Sequence, residues 1–167
     1  MLLNFTKEAA AMATESTKNT VILFNDTLEL SPSTLCAMNI VKNNVSVRAA
    51  NGKQVAYLAL KDEKSQAMLD ALLADLEKKC IRDANYWITL PTGSWVRKNS
   101  ILGYELHQSE KHCGVILRTQ NNRILSFIPC ADLDMQRLIV QELHKATESK
   151  TPSRRYKPDW NFYNQAA

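Results

Sequence analysis

RAANGK, residues 48 to 53, is the stretch that decides the fold. Arg48 ends the alternation VSVR and Lys53 opens a second, QVAYLAL; between them Asn51 and Gly52 both tolerate the positive φ that a tight reversal requires. The stretch predicts two antiparallel strands whose side chains point alternately to opposite faces. Seventy residues later the chain reads RTQNNR, residues 118 to 123, inside VILRTQNNRILSFI, and its asparagines can also visit the left-handed region.

Working outward, the offset of 70 holds without a gap from Val45 to Leu73. Identical pairs are Val45/Val115, Arg48/Arg118, Asn51/Asn121, Asp62/Asp132, Gln66/Gln136 and Leu73/Leu143. Conservative pairs include Val47/Leu117, Lys53/Arg123, Tyr57/Phe127 and Leu69/Ile139. After each hairpin the apolar period changes from two to about 3.6. Asp62 and Asp132 stand where a carboxylate can accept the orphan amide hydrogens of a first helical turn. Met68, Leu69, Leu72, Leu73 and Leu76 make one helical face; Met135, Leu138, Ile139, Leu143 and Ala146 make its counterpart.

Upstream, TVILFNDTLEL and LCAMNI precede the first hairpin. YWITL and SILGYEL precede the second, parted by a Pro91-Thr92-Gly93 turn and the polar link from Arg97 to Ser100. The pattern predicts an α+β fold: a tandem repeat of antiparallel β-sheet, three to four strands each, closed by one amphipathic helix. Because one such unit buries little area, the two units are expected to share a composite core. The chain divides into an N-terminal arm at 1–20 with a short helix at 6–16, a first unit at 21–80, a second at 84–147, and a tail at 148–167.

Composition sets the outer bounds. The 167 residues are 45% apolar and 23% charged, enough to bury a core and remain dissolved. No apolar run approaches the roughly 18 to 20 residues of a membrane span, and the first residues lack the cationic start of a secretory signal. Cys36, Cys80, Cys113 and Cys130 form no CxxC pair, which suits thiols in a reducing compartment; the expected location is cytoplasmic. From His144 onward five basic residues face two acidic ones, a surplus of three, so the remaining chain carries 4 − 3 = +1 of the net +4. Basicity is a property of the tail.

The tail supplies the candidate binding residues: Arg154, Arg155, Tyr156 and Lys157 for anions, with Trp160, Phe162 and Tyr163 as rings, and Trp95 as an aromatic on the body. Cations and rings within ten residues suit single-stranded nucleic acid; the same rings also suit a protein partner or packing on the chain's own body. HQSEKHC, residues 107 to 113, puts His107, His112 and Cys113 about one reversal, but a structural zinc site wants four ligands and no matching pair occurs elsewhere. TLPTGSWVRKNS, residues 89 to 100, has Arg97 and Lys98 after a glycine yet no P-loop signature, and Ser94 lacks the GxSxG setting of a nucleophile. Carboxylates cluster at helix starts, where the backbone dipole accounts for them. No catalytic, metal or cofactor residues are therefore expected. The sequence points to a non-catalytic module that binds another protein or its own copy through sheet edges and the aromatic tail, with nucleic-acid binding by tail and sheets as the alternative and no membrane partner.

Overall fold

The computed structural model describes residues 22–25, 28–31, 34–80, 87–148 and 158–165 and is α+β, with antiparallel sheets of five and three strands and few helices. The chain runs β1 (Ile22–Asn25), β2 (Leu28–Leu30), β3 (Leu35–Val41), β4 (Asn44–Ala49), β5 (Gln54–Ala59), α1 (Glu63–Cys80), β6 (Trp87–Thr89) and β7 (Trp95–Arg97). A 3-10 turn (Lys98–Ser100) leads to β8 (Gly103–Gln108), β9 (Cys113–Arg118), β10 (Ile124–Pro129), α2 (Leu133–Glu148) and a short α3 (Asn161–Gln165). The sheet orders are β5-β4-β3-β7-β6 and β10-β9-β8, beside a β1-β2 ribbon. The arm expected at 1–20, with its helix, lies outside the described residues.

Turn chemistry sets both hairpins. Gly52 takes φ 80° and Asn122 takes φ 56°. Gly52 N donates to Ala49 O at 2.8 Å and Ala49 N to Lys53 O at 2.9 Å; Asn122 N donates to Thr119 O at 2.9 Å and Thr119 N to Arg123 O at 3.0 Å. Near the end of each outgoing strand an arginine reaches over its own turn, Arg48 Nη1 to Gly52 O at 2.8 Å and Arg118 Nη1 to Asn122 O at 2.9 Å. Both returning strands are bulged just past the turn: the ladder steps from Arg48↔Gln54 to Val47↔Ala56, and from Arg118↔Ile124 to Leu117↔Ser126. Leu125, which the second ladder skips, turns its side chain into the core, and its carbonyl accepts Asn39 Nδ2 from β3 at 2.9 Å. A group that left one ladder is thereby satisfied by the other sheet.

The division of strands departs from the sequence expectation of three to four per unit. The hairpin at 87–97 pairs with β3 through Ala37↔Val96 and Met38↔Trp95, giving five strands to one sheet and three to the other. Burial explains the transfer. On one face of β3, Leu35 and Met38 pack with Val45, Val47, Leu69, Leu72 and Trp87; on the other, Cys36 and Ala37 join Ile88, Val96, Val115, Leu125 and Ile139. A strand covered on both faces cannot leave one row of backbone groups unpaired in apolar surroundings, and β7 supplies the missing ladder.

Both long helices begin on an aspartate cap: Ser65 N donates to Asp62 Oδ1 and Met135 N to Asp132 Oδ1, each at 2.8 Å. Leu69 and Leu72 of α1 enter the core on the β4 side, while Ile139, Leu143 and Ala146 of α2 enter it on the β9 side. Leu138, which the sequence places on that inner face, is exposed instead. Gln136 takes an inward position and donates Nε2 to His107 O at 2.8 Å and Gly114 O at 2.9 Å. Gly114 leaves no room for a side chain: a Cβ would stand 2.5 Å from both the Phe127 ring and Ile128 O.

Residues 158–165 close the fold. Trp160 is buried and its Nε1 donates to Thr89 O on β6 at 2.7 Å; the Tyr163 hydroxyl donates to Pro129 O on β10 at 2.8 Å; Asp159 N donates to Glu142 Oε1 on α2 at 2.9 Å. One short segment thus clips an edge strand of each sheet and a helix.

Candidate functional site

Of the tail residues singled out in the sequence, Arg154, Arg155, Tyr156 and Lys157 lie outside the described residues. Trp160 is in the larger core cluster, where Phe162 and Tyr163 pack against it, and the Trp160 and Phe162 ring centroids are 5.9 Å apart. Trp95 is half-buried against the smaller cluster, cross-strand from Met38. Three rings selected as contact residues are therefore turned toward the chain's own body.

The structure gathers other residues where the two hairpin turns meet. A Cβ on Gly52 would stand 3.1 Å from Arg123 Cβ and 3.3 Å from Thr119 Oγ1, so the tips abut. Beside them, against the 3-10 turn, opens a cleft of about 260 Å³ walled by Arg97, Asn99, Ser100, Thr119, Gln120 and Asn121. Arg97 is held there by its own contacts: Nε donates to Leu35 O at 2.8 Å and the guanidinium lies 5.0 Å from the Trp87 ring centroid. Lys98 follows it, and partial burial pulls its ammonium pKa down. Arg48 and Lys53 flank the first turn; Arg118 and Arg123 flank the second. Glu105 pairs with Arg118, and that contact, followed by charge attraction, holds the Glu105 carboxyl below its usual range.

Two polar atoms at this junction are buried without a hydrogen-bond partner, Thr119 Oγ1 and Arg48 Nε, and Thr119 is only 2% exposed. Sequence reasoning missed Asn99, Thr119, Gln120 and Asn121 as site residues. The available signal was the pairing of Arg48 with Arg118 and of Lys53 with Arg123 at the same offset, which puts two cations on each tip.

The remaining motifs have local employment. Ser109 N donates to His112 O at 2.8 Å, closing the HQSEKHC reversal; His107 stands edge-on to Phe127 and His112 is exposed. Cys113 and Cys130 bring their Sγ atoms to 3.6 Å, and burial, then the neighbouring thiol, pushes Cys130 up to about 11. Among the described residues no three His, Cys, Asp or Glu side chains gather as a metal-binding group. Ser94 is buried and its Oγ accepts Ile40 N at 3.0 Å, which ties the β6-β7 turn to β3. No helix among the described residues is long and apolar enough to cross a membrane.

In the five- and three-stranded sheets two edges stay without a strand partner among the described residues, β5 and β8. On and beside them Val55, Tyr57, Leu102 and Leu106 are exposed. The other two edges are occupied: Trp160 bonds β6, and β10 lies against β3. Comparison of the chain with protein-family models, with curated proteins and with solved structures gives no match.

Proposed function

We propose that this chain is a non-catalytic module that binds another protein by pairing an extended segment of it onto a free sheet edge, and that its body is one sheet-plus-helix unit used twice around a shared core. The reading of the body is supported by the hairpins at 44–59 and 114–129. Their register, bulge position, arginine-over-turn bond and following aspartate cap agree residue for residue at the offset of 70.

The observation that carries the binding reading is β8. Gly103–Gln108 contains no proline and no lysine, the residues that commonly blunt an edge, and one side of it has no strand neighbour among the described residues, beside exposed Leu102 and Leu106. An added strand would gain main-chain hydrogen bonds there and cover two leucines. The rival reading, single-stranded nucleic acid held by the tail, needs rings free to stack, whereas Trp160 is inside the core.

Affinity capture from lysate, with size-exclusion and light scattering, tests the proposal. The captured protein should lose binding when Leu106→Lys is introduced, since a charged side chain replaces an apolar contact on the edge strand. A monodisperse monomer that captures nothing, or a partner indifferent to Leu106→Lys, refutes the β8 reading.

A further inference from the structure

We propose that the cleft between the two hairpin tips and the 3-10 turn is a binding site for a phosphate-class oxyanion. The fold brings six basic side chains, Arg48, Lys53, Arg97, Lys98, Arg118 and Arg123, onto three neighbouring turns of a body whose net charge, these six included, is only +1. Glu105 pairs with Arg118, and no residue walling the cleft is acidic. Of the six only Arg97 walls the cleft itself, and the other five, on the adjoining turns, add positive potential that attracts anions toward it.

The wall has the donor chemistry that an oxyanion requires. It combines a guanidinium with the amides of Asn99, Gln120 and Asn121 and the hydroxyls of Ser100 and Thr119. Thr119 is an independent sign of a ligand at this wall. Its hydroxyl is buried at the cleft wall and bonds no described group, although buried polar atoms are overwhelmingly paired in folded proteins. Arg48 Nε, on the facing tip but outside the cleft wall, is also buried without a partner, next to Gly52, whose absent side chain is what lets Thr119 and Arg123 come so near.

A volume of about 260 Å³ lies at the small end of ligand pockets, so the site suits a phosphate carrying a small group, or one phosphate of a longer chain. This site shares no residue with the β8 edge, and either proposal stands if the other fails.

The test is a residue-resolved amide titration of the full chain by nuclear magnetic resonance. Inorganic phosphate and pyrophosphate are one arm, and a ten-nucleotide single-stranded oligonucleotide the second. Sodium chloride at matched ionic strength is the control. Saturable shifts at Arg97, Asn99 and Thr119 to Asn121, absent from the chloride control, are expected. Thr119→Val should weaken binding about three- to tenfold without destabilising the fold, because that hydroxyl has no partner to lose. Arg97→Gln should weaken it about tenfold or more.

If only the oligonucleotide produces those shifts, the source of the oxyanion is a phosphodiester; if phosphate or pyrophosphate does, it is a free or small phosphate. Shifts confined to residues 150–157, or shifts equal to those in chloride, overturn the proposal. So does an affinity unchanged in both Thr119→Val and Arg97→Gln.

Discussion

Trp160 gives the most direct test of the structure, because a residue chosen from the sequence for its reach toward partners is the one that holds the chain's own parts together. Replacing it with alanine removes a large buried ring and leaves Thr89 O without its indole donor. Truncating a buried tryptophan costs about 3–5 kcal/mol, against a total stability on the order of 5–15 kcal/mol. For a chain of this size that lowers the melting temperature by about 6–20 °C. Trp160→Phe separates the two contributions: most of the apolar burial remains and one hydrogen bond is lost, for about 1–2 kcal/mol. Urea unfolding followed by far-ultraviolet circular dichroism measures both without interference from Trp87 and Trp95. Because the segment at 158–165 also bonds Pro129 and Glu142, hydrogen exchange in Trp160→Ala should show lost protection at the ends of β6 and β10. A Trp160→Ala protein within about 1 kcal/mol of wild type, with unchanged exchange at those strands, would refute the stapling role.

Gly114→Ala should destabilise by about 1–3 kcal/mol in the same assay, because the added carbon meets Ile128 O as well as the movable Phe127 ring; adding Phe127→Ala should not restore stability, since the carbonyl contact remains. Asn39→Ala should cost about 1–3 kcal/mol by orphaning the buried Leu125 carbonyl, and amide shifts should spread into β10 although Asn39 belongs to the other sheet. Asp62 is held below the usual carboxylate range, first by the Ser65 amide and then by the Ser65 hydroxyl. A depressed carboxylate contributes stability above its unfolded pKa, and that contribution disappears as pH falls through the folded value. Wild type should therefore lose stability more steeply than Asp62→Asn, which keeps a capping oxygen but does not titrate, as pH falls through and below the usual aspartate range; equal slopes would rule out a contribution from the cap's charge.

Part of this was legible in residues close in sequence. Asn51-Gly52 and Asn121-Asn122 announce reversals because positive φ is a property of one or two residues, and Asp62 and Asp132 announce helix starts because a cap bonds an amide three residues on. The candidate site was legible only as pairs of cations beside each turn, since nothing local tells two turns seventy residues apart that they touch. Trp160 and Tyr163 were visible as aromatics, yet an aromatic run has the same composition whether it faces a partner or its own core.

By itself, then, the sequence determined the α+β class, the positions of the reversals and the helix caps, all of which follow from backbone preferences and hydrogen bonds spanning a few residues. Tertiary structure alone decided that the hairpin at 87–97 joins β3, that Trp160 bonds Thr89, and that Gly52 lies against Thr119 and Arg123 beside a cleft walled by Arg97. Those outcomes depend on which distant backbone groups and apolar faces must be removed from water together, and that competition exists only once the whole chain has collapsed.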